Sequence, residues 1–559
     1  MYERIQKICE FLKKVDENSD MYLTDEITEK FKIYKTWLIE NGAIFEKNLD
    51  FPITYGPFHK IGCKSISDLN ENEAIILIPK SIIISTEDSK YLENYIKNIL
   101  EDLSEEEIPT ICLTLYLYIE KQNHNSYYKP YLDILFLDEN NNNITYEKWN
   151  YKNINELNNE IFVKSFEKML NNIDELYNLI KQCDKFKNIS KNDFLNCYFK
   201  VLSKKINLND YNNASALVPL TDLFFEDDSI KLRYEIYDSE NLVFKYTSII
   251  NDYKDLNLNL HMTKSYSLPI NKPTYNKLLP IITNSNEDNE SESDSDDNSS
   301  EKEVIKLNKN DFFSIALSKN EKFTRNKLIC SNLQIVNNKK LLKNNGLCLL
   351  YNRNDYMSFK FNFNRGELLT DKYLENIFGD KYQTRNDDPI YNTLKIKIEF
   401  NNISTDLLKY YRFMHFYKNK KNAKEYFKYH FNIDLEIDII NSSIDFLKNK
   451  LNDMETKYDF NKDFKELENE IYNKKESDYF KANLLMFRLS QKIILKNQIE
   501  LLGYIIRVMT KYKNNIEGYN NIFDYIKNEK MLNEFDKEEF SRMKVLRFIA
   551  YMSKTIDLK

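Results

Sequence analysis

The spacing of apolar residues along this chain changes from the two-residue period of strands to the longer period of helices. Residues 74–79 (AIILIP) form a short apolar run closed by proline, and residues 231–237 alternate with a period of two. Apolar residues within 440–451 fall on one helical face, and those within 480–511 do so again. The pattern predicts a β-rich N-terminal half and an all-α C-terminal half.

Helical patterns also interrupt the β-rich half. Residues 31–42 predict a helix that ends at Gly42, since glycine readily adopts the left-handed conformation that commonly follows a helix. Residues 110–121 and most of 155–205 are helical in pattern as well. We therefore expect a helical insertion at about 110–205 between two groups of strands.

One strongly acidic segment occupies residues 284–303. Its sequence, NSNEDNESESDSDDNSSEKE, contains nine acidic residues and one lysine, a local charge of −8. Because the whole chain carries −7, the remainder is close to neutral at about +1, which argues against nucleic acid as a partner. The segment has almost no apolar residues to bury, so we expect a disordered loop inserted between strands.

The composition of the chain argues against metal-binding, secreted and membrane-spanning proteins. The chain has 559 residues, enough for two or three domains, with 7 Cys in no CxxC pair and only 5 His. We therefore expect no metal site, and the thiols are expected to be buried and reduced. The N-terminus lacks the apolar core of a signal peptide, and no apolar run is long enough for a membrane helix. These features predict a cytoplasmic or nuclear protein with no membrane partner.

Several short motifs occur in a distinctive order along the chain. They are WLIENGA at 37–43, KIGCKSISDLNENE at 60–73, EKQNHNSYYKPYL at 120–132, the stretch 194–206, LVPLTD at 217–222, and NKKLLKNNGL at 338–347 followed by Asn352 and Asp355. In the helical half, Arg488, Gln491 and Lys492 lie on one predicted helix. This order resembles that of the SET-domain protein methyltransferases of the plant Rubisco-lysine and animal actin-histidine type, over about residues 31–510.

The resemblance implies an α+β fold, namely a SET-like β-fold with a helical insertion, followed by an all-α domain that binds protein substrates. It also implies S-adenosylmethionine as the cofactor if the protein is active. On this basis we expect a helical extension at 1–30, a SET-like domain at 31–362, a helical substrate-binding-like domain at 365–515 and a helical extension at 516–559.

Cofactor-binding residues are implied by the same resemblance, with departures. The family holds its cofactor against a Gly-x-Gly turn, of which Gly62 remains while Lys60 replaces the first glycine. Glycine lets the backbone approach a ligand closely, so Lys60 would crowd the cofactor unless its side chain turned outward. The family's Ser-Arg pair ends here in Lys204, which keeps the charge and loses the planar fork of arginine. Asp222 of LVPLTD is retained.

The largest departure concerns the family's Asn-His pair, whose place is taken by Phe225 and Glu226. Phenylalanine cannot supply amide hydrogen bonds, and the glutamate brings a carboxylate toward the position of the cofactor's own carboxylate. The resemblance also implies a catalytic tyrosine, but its slot holds Asn326 or Leu333, depending on how the connection is aligned. The sequence therefore offers no convincing catalytic residue.

Three functions remain open from the sequence. The first is an active methyltransferase that modifies lysine or histidine of a protein with a rebuilt pocket. The second is a degenerate SET protein, in which the helical domain still binds a protein and the pocket performs no chemistry. The third is a helical scaffold outside the family that carries an acidic tether. Each motif departure alone could be tolerated, but the four together favour the second.

Overall fold

Strands and helices alternate in the N-terminal half of the chain, and long helices dominate its C-terminal half. The computed structural model describes residues 2–71, 74–96, 99, 103, 107–137, 156–157, 160–208, 214–227, 232–237, 312–318, 321–331, 336–364, 378, 382–383, 391–400, 402–418, 433–472 and 478–514. The predicted acidic loop at 284–303 and the predicted extension at 516–559 lie outside these residues.

Most described strands belong to small sheets in the N-terminal half. They are β1 (Leu49–Tyr55), β2 (Lys60–Ser65), β3 (Ala74–Pro79), β4 (Ile84–Ser85), β5 (Ile206–Leu208), β6 (Ala214–Leu217), β7 (Phe225–Glu226), β8 (Leu232–Tyr237), β9 (Phe312–Leu317), β10 (Cys330–Ser331), β11 (Tyr356–Asn364), β12 (Tyr382–Gln383) and β13 (Tyr391–Glu399). The antiparallel sheets have the orders β1-β2, β3-β9-β8, β4-β6-β5 and β11-β13-β12, whereas β7 and β10 pair in parallel.

The described helices fall into three groups. They are α1 (Tyr2–Leu12) and α2 (Asp25–Glu40) before the first strand, α3 (Thr86–Ser89), α4 (Glu107–Gln122), α5 (Lys129–Leu135), α6 (Glu160–Lys181) and α7 (Lys191–Lys204) between β4 and β5, and α8 (Asn338–Asn345), α9 (Thr405–Lys418), α10 (Ile433–Lys457), α11 (Phe460–Tyr472) and α12 (Tyr479–Asn514) after β10. The helices between β4 and β5 form an insertion among the strands.

Local sequence patterns correctly indicate several of these elements. The apolar run at 74–79 forms β3, and the alternating run at 231–237 forms β8. The helix α2 ends at Glu40, and Gly42 follows it with a φ of +81°. The long helices α10 and α12 carry the two predicted apolar faces.

One prediction about the C-terminal half requires correction. The sequence predicts helices from about 365 onward, but strand β13 (Tyr391–Glu399) lies beyond that point and pairs along its whole length with β11. The reason is a period of two, in which Leu394, Ile396 and Ile398 are buried while the lysines between them are exposed. Among the described residues, the first long helix after 365 is therefore α9.

The buried apolar side chains of the described residues form two hydrophobic cores. The first joins α2, the small sheets and the inserted helices, and it contains buried side chains from Phe31 to Cys330. The second joins β11, β13 and the C-terminal helices, and it also includes Ile5 and Ile8 of α1. Helix α1 therefore packs with the C-terminal half, although it lies at the opposite end of the sequence.

A buried polar network ties the start of β11 to helices α8 and α12. The Asp355 carboxylate accepts hydrogen bonds from the backbone N–H of Asn338 at 3.1 Å, from its amide Nδ2 at 3.0 Å and from the N–H of Tyr356 at 3.0 Å. The Asn352 amide donates to Asn338 Oδ1 at 3.0 Å, and Ser490 Oγ of α12 lies 3.4 Å from Asp355. The family-like residues Asn338, Asn352 and Asp355 thus hold elements together.

Candidate functional site

A cavity of about 400 Å³ lies where the β1–β2 hairpin, the end of helix α7 and the loop after β6 meet. Its lining includes four of the five residues that the sequence assigned to cofactor binding: Lys204, Asp222, Phe225 and Glu226. Asn345 and Tyr479 line it as well, so elements after β10 complete the cavity. Residues far apart in the sequence therefore converge on one site of a size that suits a small ligand.

The fifth residue, Gly62 of β2, lies directly behind the ring of Tyr55. A Cβ atom added at Gly62 would come within 2.7 Å of Tyr55 Cε1 and 3.2 Å of the Leu223 carbonyl oxygen. The Tyr55 ring also meets Phe225 edge to face, with centroids 5.5 Å apart and planes at 84°. The missing side chain at Gly62 thus accommodates an aromatic ring of the protein itself.

Lys60, which the sequence resemblance places at the first glycine of the Gly-x-Gly turn, lines the cavity. Its ammonium group lies 4.2 Å from the centre of the Tyr479 ring, over the ring face. Phe58 meets the same ring edge-on at 5.0 Å. The hairpin tip is therefore held against the start of helix α12 by a cation–π contact and an aromatic contact.

Phe225 and Glu226 form the two-residue strand β7, which pairs in parallel with β10. The Phe225 N–H donates to the Ile329 carbonyl at 2.9 Å, which fixes the backbone. The Glu226 side chain is buried, and its Oε1 accepts a hydrogen bond from the Asn345 amide at 2.8 Å. Its Oε2 is also buried and has no hydrogen-bond partner in the described part of the chain. One carboxylate oxygen is therefore left unsatisfied at the cavity.

Asp222 brings a second buried carboxyl group to the site. Both of its carboxylate oxygens are buried, and neither makes a hydrogen bond of ordinary geometry within the described residues, although the Tyr131 hydroxyl is nearby. The Lys204 ammonium donates to the backbone carbonyl of Asp222 at 3.3 Å. Burial raises the pKa values of Asp222 and Glu226, and the positive charge of Lys204 opposes both shifts. The cavity therefore combines two destabilised carboxylates with a lysine.

A strained turn positions Asp222. Leu220 has a φ of +73°, a backbone conformation that is sterically disfavoured for a branched side chain. Its N–H donates to the Tyr34 hydroxyl at 2.9 Å, and the Leu220 side chain is buried. Such strain persists when the surrounding packing compensates for it, and it is often found at functional sites.

Replacing Glu226 by glutamine is expected to stabilise the protein at neutral pH. Glutamine keeps an oxygen for the Asn345 hydrogen bond and removes a buried charge, which should raise the free energy of unfolding by about 1 kcal/mol at about pH 7.5. Because burial raises the pKa of Glu226, the folded chain holds this proton longer than the unfolded chain as the pH rises. The gain should therefore vanish near about pH 4.

Urea denaturation of the Glu226→Gln variant and the unmodified chain at both pH values measures this difference. Glu175→Gln, at an exposed position on helix α6, is the matched control and should show no gain at either pH. A loss of stability at neutral pH in Glu226→Gln would mean that the carboxylate is stabilised in the folded state.

Asn326 and Leu333 are the two positions that the sequence resemblance aligned with a catalytic tyrosine. Asn326 is exposed at a turn with a φ of +62°, and its N–H donates to the Ser65 carbonyl at 2.8 Å, away from the cavity lining. Leu333 lies outside the described residues. Tyr351 and Tyr356 follow the slot in sequence, but neither lines the cavity; Tyr351 packs on Phe400 instead.

Tyr55, Asn345 and Tyr479 line the cavity and were not among the residues that the sequence assigned to the site. In a chain with 40 Tyr, no local pattern distinguishes the two tyrosines that reach the site. Asn345 was recognised only as part of a family-like motif. Its amide reaches Glu226, 119 positions away, a contact that depends on the fold alone.

The segment after α1, predicted only as part of an extension, runs beside the site. Val15 forms a β-bridge with Tyr55, and the Gly56 N–H donates to the Lys14 carbonyl at 2.9 Å. Lys13 forms an ion pair with Asp227, the residue after Glu226. The approach is close, because a Cβ on Gly56 would lie 2.7 Å from the Leu12 carbonyl oxygen. The N-terminal segment thus covers the back of the hairpin.

No group of three or more His, Cys, Asp or Glu side chains among the described residues is arranged to hold a metal ion. In that same part of the chain, no helix is both long and apolar enough to span a bilayer.

The fold is similar to solved SET-domain structures. The crystal structure of the SET domain of LSMT bound to lysine and AdoHcy aligns with a TM-score of 0.51 at 13% identity, over 86% of this chain and 92% of the other. The SET domain of LSMT bound to MeLysine and AdoHcy gives 0.50 at 14% identity, over 87% and 93%. The sequence matches no protein-family model and no curated protein. The likeness shows an α+β fold of the SET type followed by a helical region, as predicted.

Proposed function

We propose that this protein is a degenerate SET-fold protein that acts by binding another protein through its helical region and does not transfer methyl groups. The observation that carries the proposal is the position of Tyr55, whose ring fills the space in front of Gly62 and contacts Phe225. The space beside Gly62, through which a cofactor could approach the backbone, is thus filled by a side chain of the protein itself. The reading of the chain as a helical scaffold outside this fold is not supported, since the N-terminal half has the SET fold.

The residues at the site do not fit S-adenosylmethionine in the way that the family implies. The cofactor carries a carboxylate and needs hydrogen-bond donors, whereas Phe225 offers a ring and Glu226 a buried carboxylate. The unsatisfied oxygens of Asp222 and Glu226 add negative potential inside a partly desolvated cavity, where charges interact more strongly than in water. The cofactor's own carboxylate would be repelled by these two groups.

The helical region supports the protein-binding part of the proposal through its rigidity. Helices α10 and α12 are long, and α12 contacts both α10 and α11. Arg412 and Glu436 form a buried bidentate ion pair, with contacts of 2.7 and 2.6 Å, between α9 and α10. A preorganised surface loses little conformational entropy when a partner binds.

The size of the cavity favours an alternative, an active methyltransferase with a rebuilt pocket. About 400 Å³ remains open, and Lys204 and Asp222 retain the charges that the family has at these positions. In that case S-adenosylmethionine would supply the methyl group. Lys204, Asp222 and the backbone near Gly62 would hold this cofactor.

Calorimetric titration separates the two functions. The unmodified protein is expected to give no binding heat with S-adenosylmethionine or S-adenosylhomocysteine up to about 1 mM ligand, which corresponds to a binding free energy weaker than about −4 kcal/mol. Tyr55→Ala, which empties the space in front of Gly62, serves as the comparison. A Kd of about 10 μM or tighter for the unmodified chain would favour the active enzyme.

A further inference from the structure

A basic surface lies on the strand pair β11–β13, apart from the cavity. The antiparallel register places Lys360 directly opposite Lys395, and Ser358 opposite Lys397. These three lysines are exposed, and Tyr356 lies beside them with the Lys397 ammonium 4.7 Å from its ring centre. Lys339 of α8 approaches the same ring at 5.7 Å. We call Lys339, Lys360, Lys395 and Lys397, with Tyr356, the lysine face.

The opposite side of the strand pair explains why the lysines are displayed. Phe359 and Phe361 point the other way and pack against Phe446 of α10, with ring centroids 5.3 Å apart in both cases. Because side chains alternate along a strand, burying these rings directs the lysines to the other surface. The lysine face is therefore firmly held by the second hydrophobic core and presents its charges on a rigid support.

This arrangement is electrostatically unfavourable by itself. Like charges directly opposite each other destabilise an antiparallel pair, as Lys360 and Lys395 do here. Glu399 lies opposite Tyr356 on the same side of the strand pair, but its carboxylate accepts a hydrogen bond from the Asn402 amide, and no carboxylate of the described residues forms an ion pair with a lysine of the lysine face. Burial lowers the pKa of Lys339, the negative charge of Asp355 opposes this shift, and the positive charge of Lys395 adds to it. An anionic group placed over the face would relieve the repulsion.

We infer that the lysine face is the docking surface for the chain's own acidic segment, residues 284–303. That segment carries a charge of −8, while the rest of the chain is nearly neutral, so the two regions are electrostatically complementary. Docking of this kind needs only close approach of opposite charges. Docking would reduce two repulsions together, the one between Lys360 and Lys395 and the one among the carboxylates of residues 284–303.

Tethering favours this occupant over a free acidic partner. The segment is joined covalently to strand β9, which begins at Phe312, so it is always present at an effective concentration on the order of millimolar or somewhat less. A free acidic polypeptide must reach that concentration to compete. Nucleic acid is a poorer match, because the face is a small patch on a chain with no overall positive charge.

Carbodiimide cross-linking of the full-length protein tests the inference. The reagent condenses a carboxylate with a lysine amine in direct contact, and mass spectrometry then identifies the pair. Carboxylates of 284–303 are expected to link to Lys360, Lys395 and Lys397 at least tenfold more than to Lys168, Lys187 and Lys448, which are also exposed and serve as internal controls. The preference should collapse at about 0.5 M NaCl, where charges are screened over a few ångströms.

Mixed isotope labelling and a charge-reversed variant complete the test. Links that join a labelled to an unlabelled chain would show that the occupant is the segment of a second copy. In Lys360→Glu/Lys395→Glu/Lys397→Glu the links should redistribute to other lysines, whereas Lys168→Glu/Lys187→Glu/Lys448→Glu, with the same net charge, should keep them. Equal linking to face and control lysines at low salt would overturn the inference.

Discussion

Replacing Asp463 by alanine is expected to lower the free energy of unfolding by about 3–5 kcal/mol. Asp463 of α11 is buried between two cations of α12. Its carboxylate accepts a hydrogen bond from Arg488 Nη2 at 2.7 Å and another from Lys492 Nζ at 2.9 Å, and both partners are themselves buried. Removing the carboxylate leaves two buried positive charges without their anion, the situation in which breaking a buried ion pair is most costly.

Chemical denaturation followed by circular dichroism measures this loss. Asp453→Ala is the matched control, because Asp453 pairs with Lys450 at 3.5 Å on the solvent-exposed side of α10, where screening makes such pairs weak. A loss no larger than that of the control would mean that water reaches the Asp463 cluster.

A rescue variant distinguishes unpaired charge from lost packing. In Asp463→Leu/Arg488→Met/Lys492→Met, all three charges are replaced by apolar side chains of similar reach, and such replacements of buried ionic clusters are often neutral or stabilising. The triple variant should therefore be more stable than Asp463→Ala, although it carries more substitutions. If it is less stable, the polar contacts of Arg488 and Lys492 with backbone carbonyls contribute more than the charges.

Restoring the family's pair at the cavity is the second large expected effect. In Phe225→Asn/Glu226→His, hydrogen-bonding groups replace a ring and a buried carboxylate, so affinity for S-adenosylhomocysteine should rise at least about tenfold, or about 1.4 kcal/mol. The Tyr55 ring also loses its edge-to-face neighbour and becomes freer to leave Gly62. Methyl transfer should still be absent, since neither Asn326 nor Leu333, the two positions that the resemblance aligns with a catalytic tyrosine, is a tyrosine.

The control is Phe225→Leu/Glu226→Gln, which removes the ring and the charge without placing an amide at 225 or an imidazole at 226. Calorimetry of both variants separates new hydrogen bonds from simple relief of repulsion. An equal gain in both would assign the effect to the lost carboxylate. No gain in either would mean that Tyr55 alone blocks the site, which adding Tyr55→Ala would then show.

Family-like motifs proved to have different roles once their contacts were known. Asn338, Asn352 and Asp355 form a buried network, and burial raises the pKa of Asp355 to about 6. Arg488 and Lys492 hold Asp463. These family-like residues join elements of the fold, whereas Lys60, Phe225 and Glu226 line the cavity.

The sequence by itself determined the α+β class, many of the elements and the list of candidate cofactor residues. Apolar residues that recur every two or every 3.6 positions show which face of a segment is buried. This local information was sufficient to predict the strands β3 and β8 and the helices α10 and α12. The prediction of a helical region from about 365 is wrong at Tyr391–Glu399, where the residues alternate and form strand β13.

Only the tertiary structure decided what the candidate site contains. Three contacts define the site: the Tyr55 ring against Gly62, the Asn345 amide to Glu226, and the Lys204 ammonium to the Asp222 carbonyl. No local sequence pattern predicts any of these pairs. The same is true of Lys360 opposite Lys395, since strand register is set by which rings the second core buries. Such pairings follow from packing over the whole chain, because side-chain contact depends on distance in space and not on spacing along the sequence.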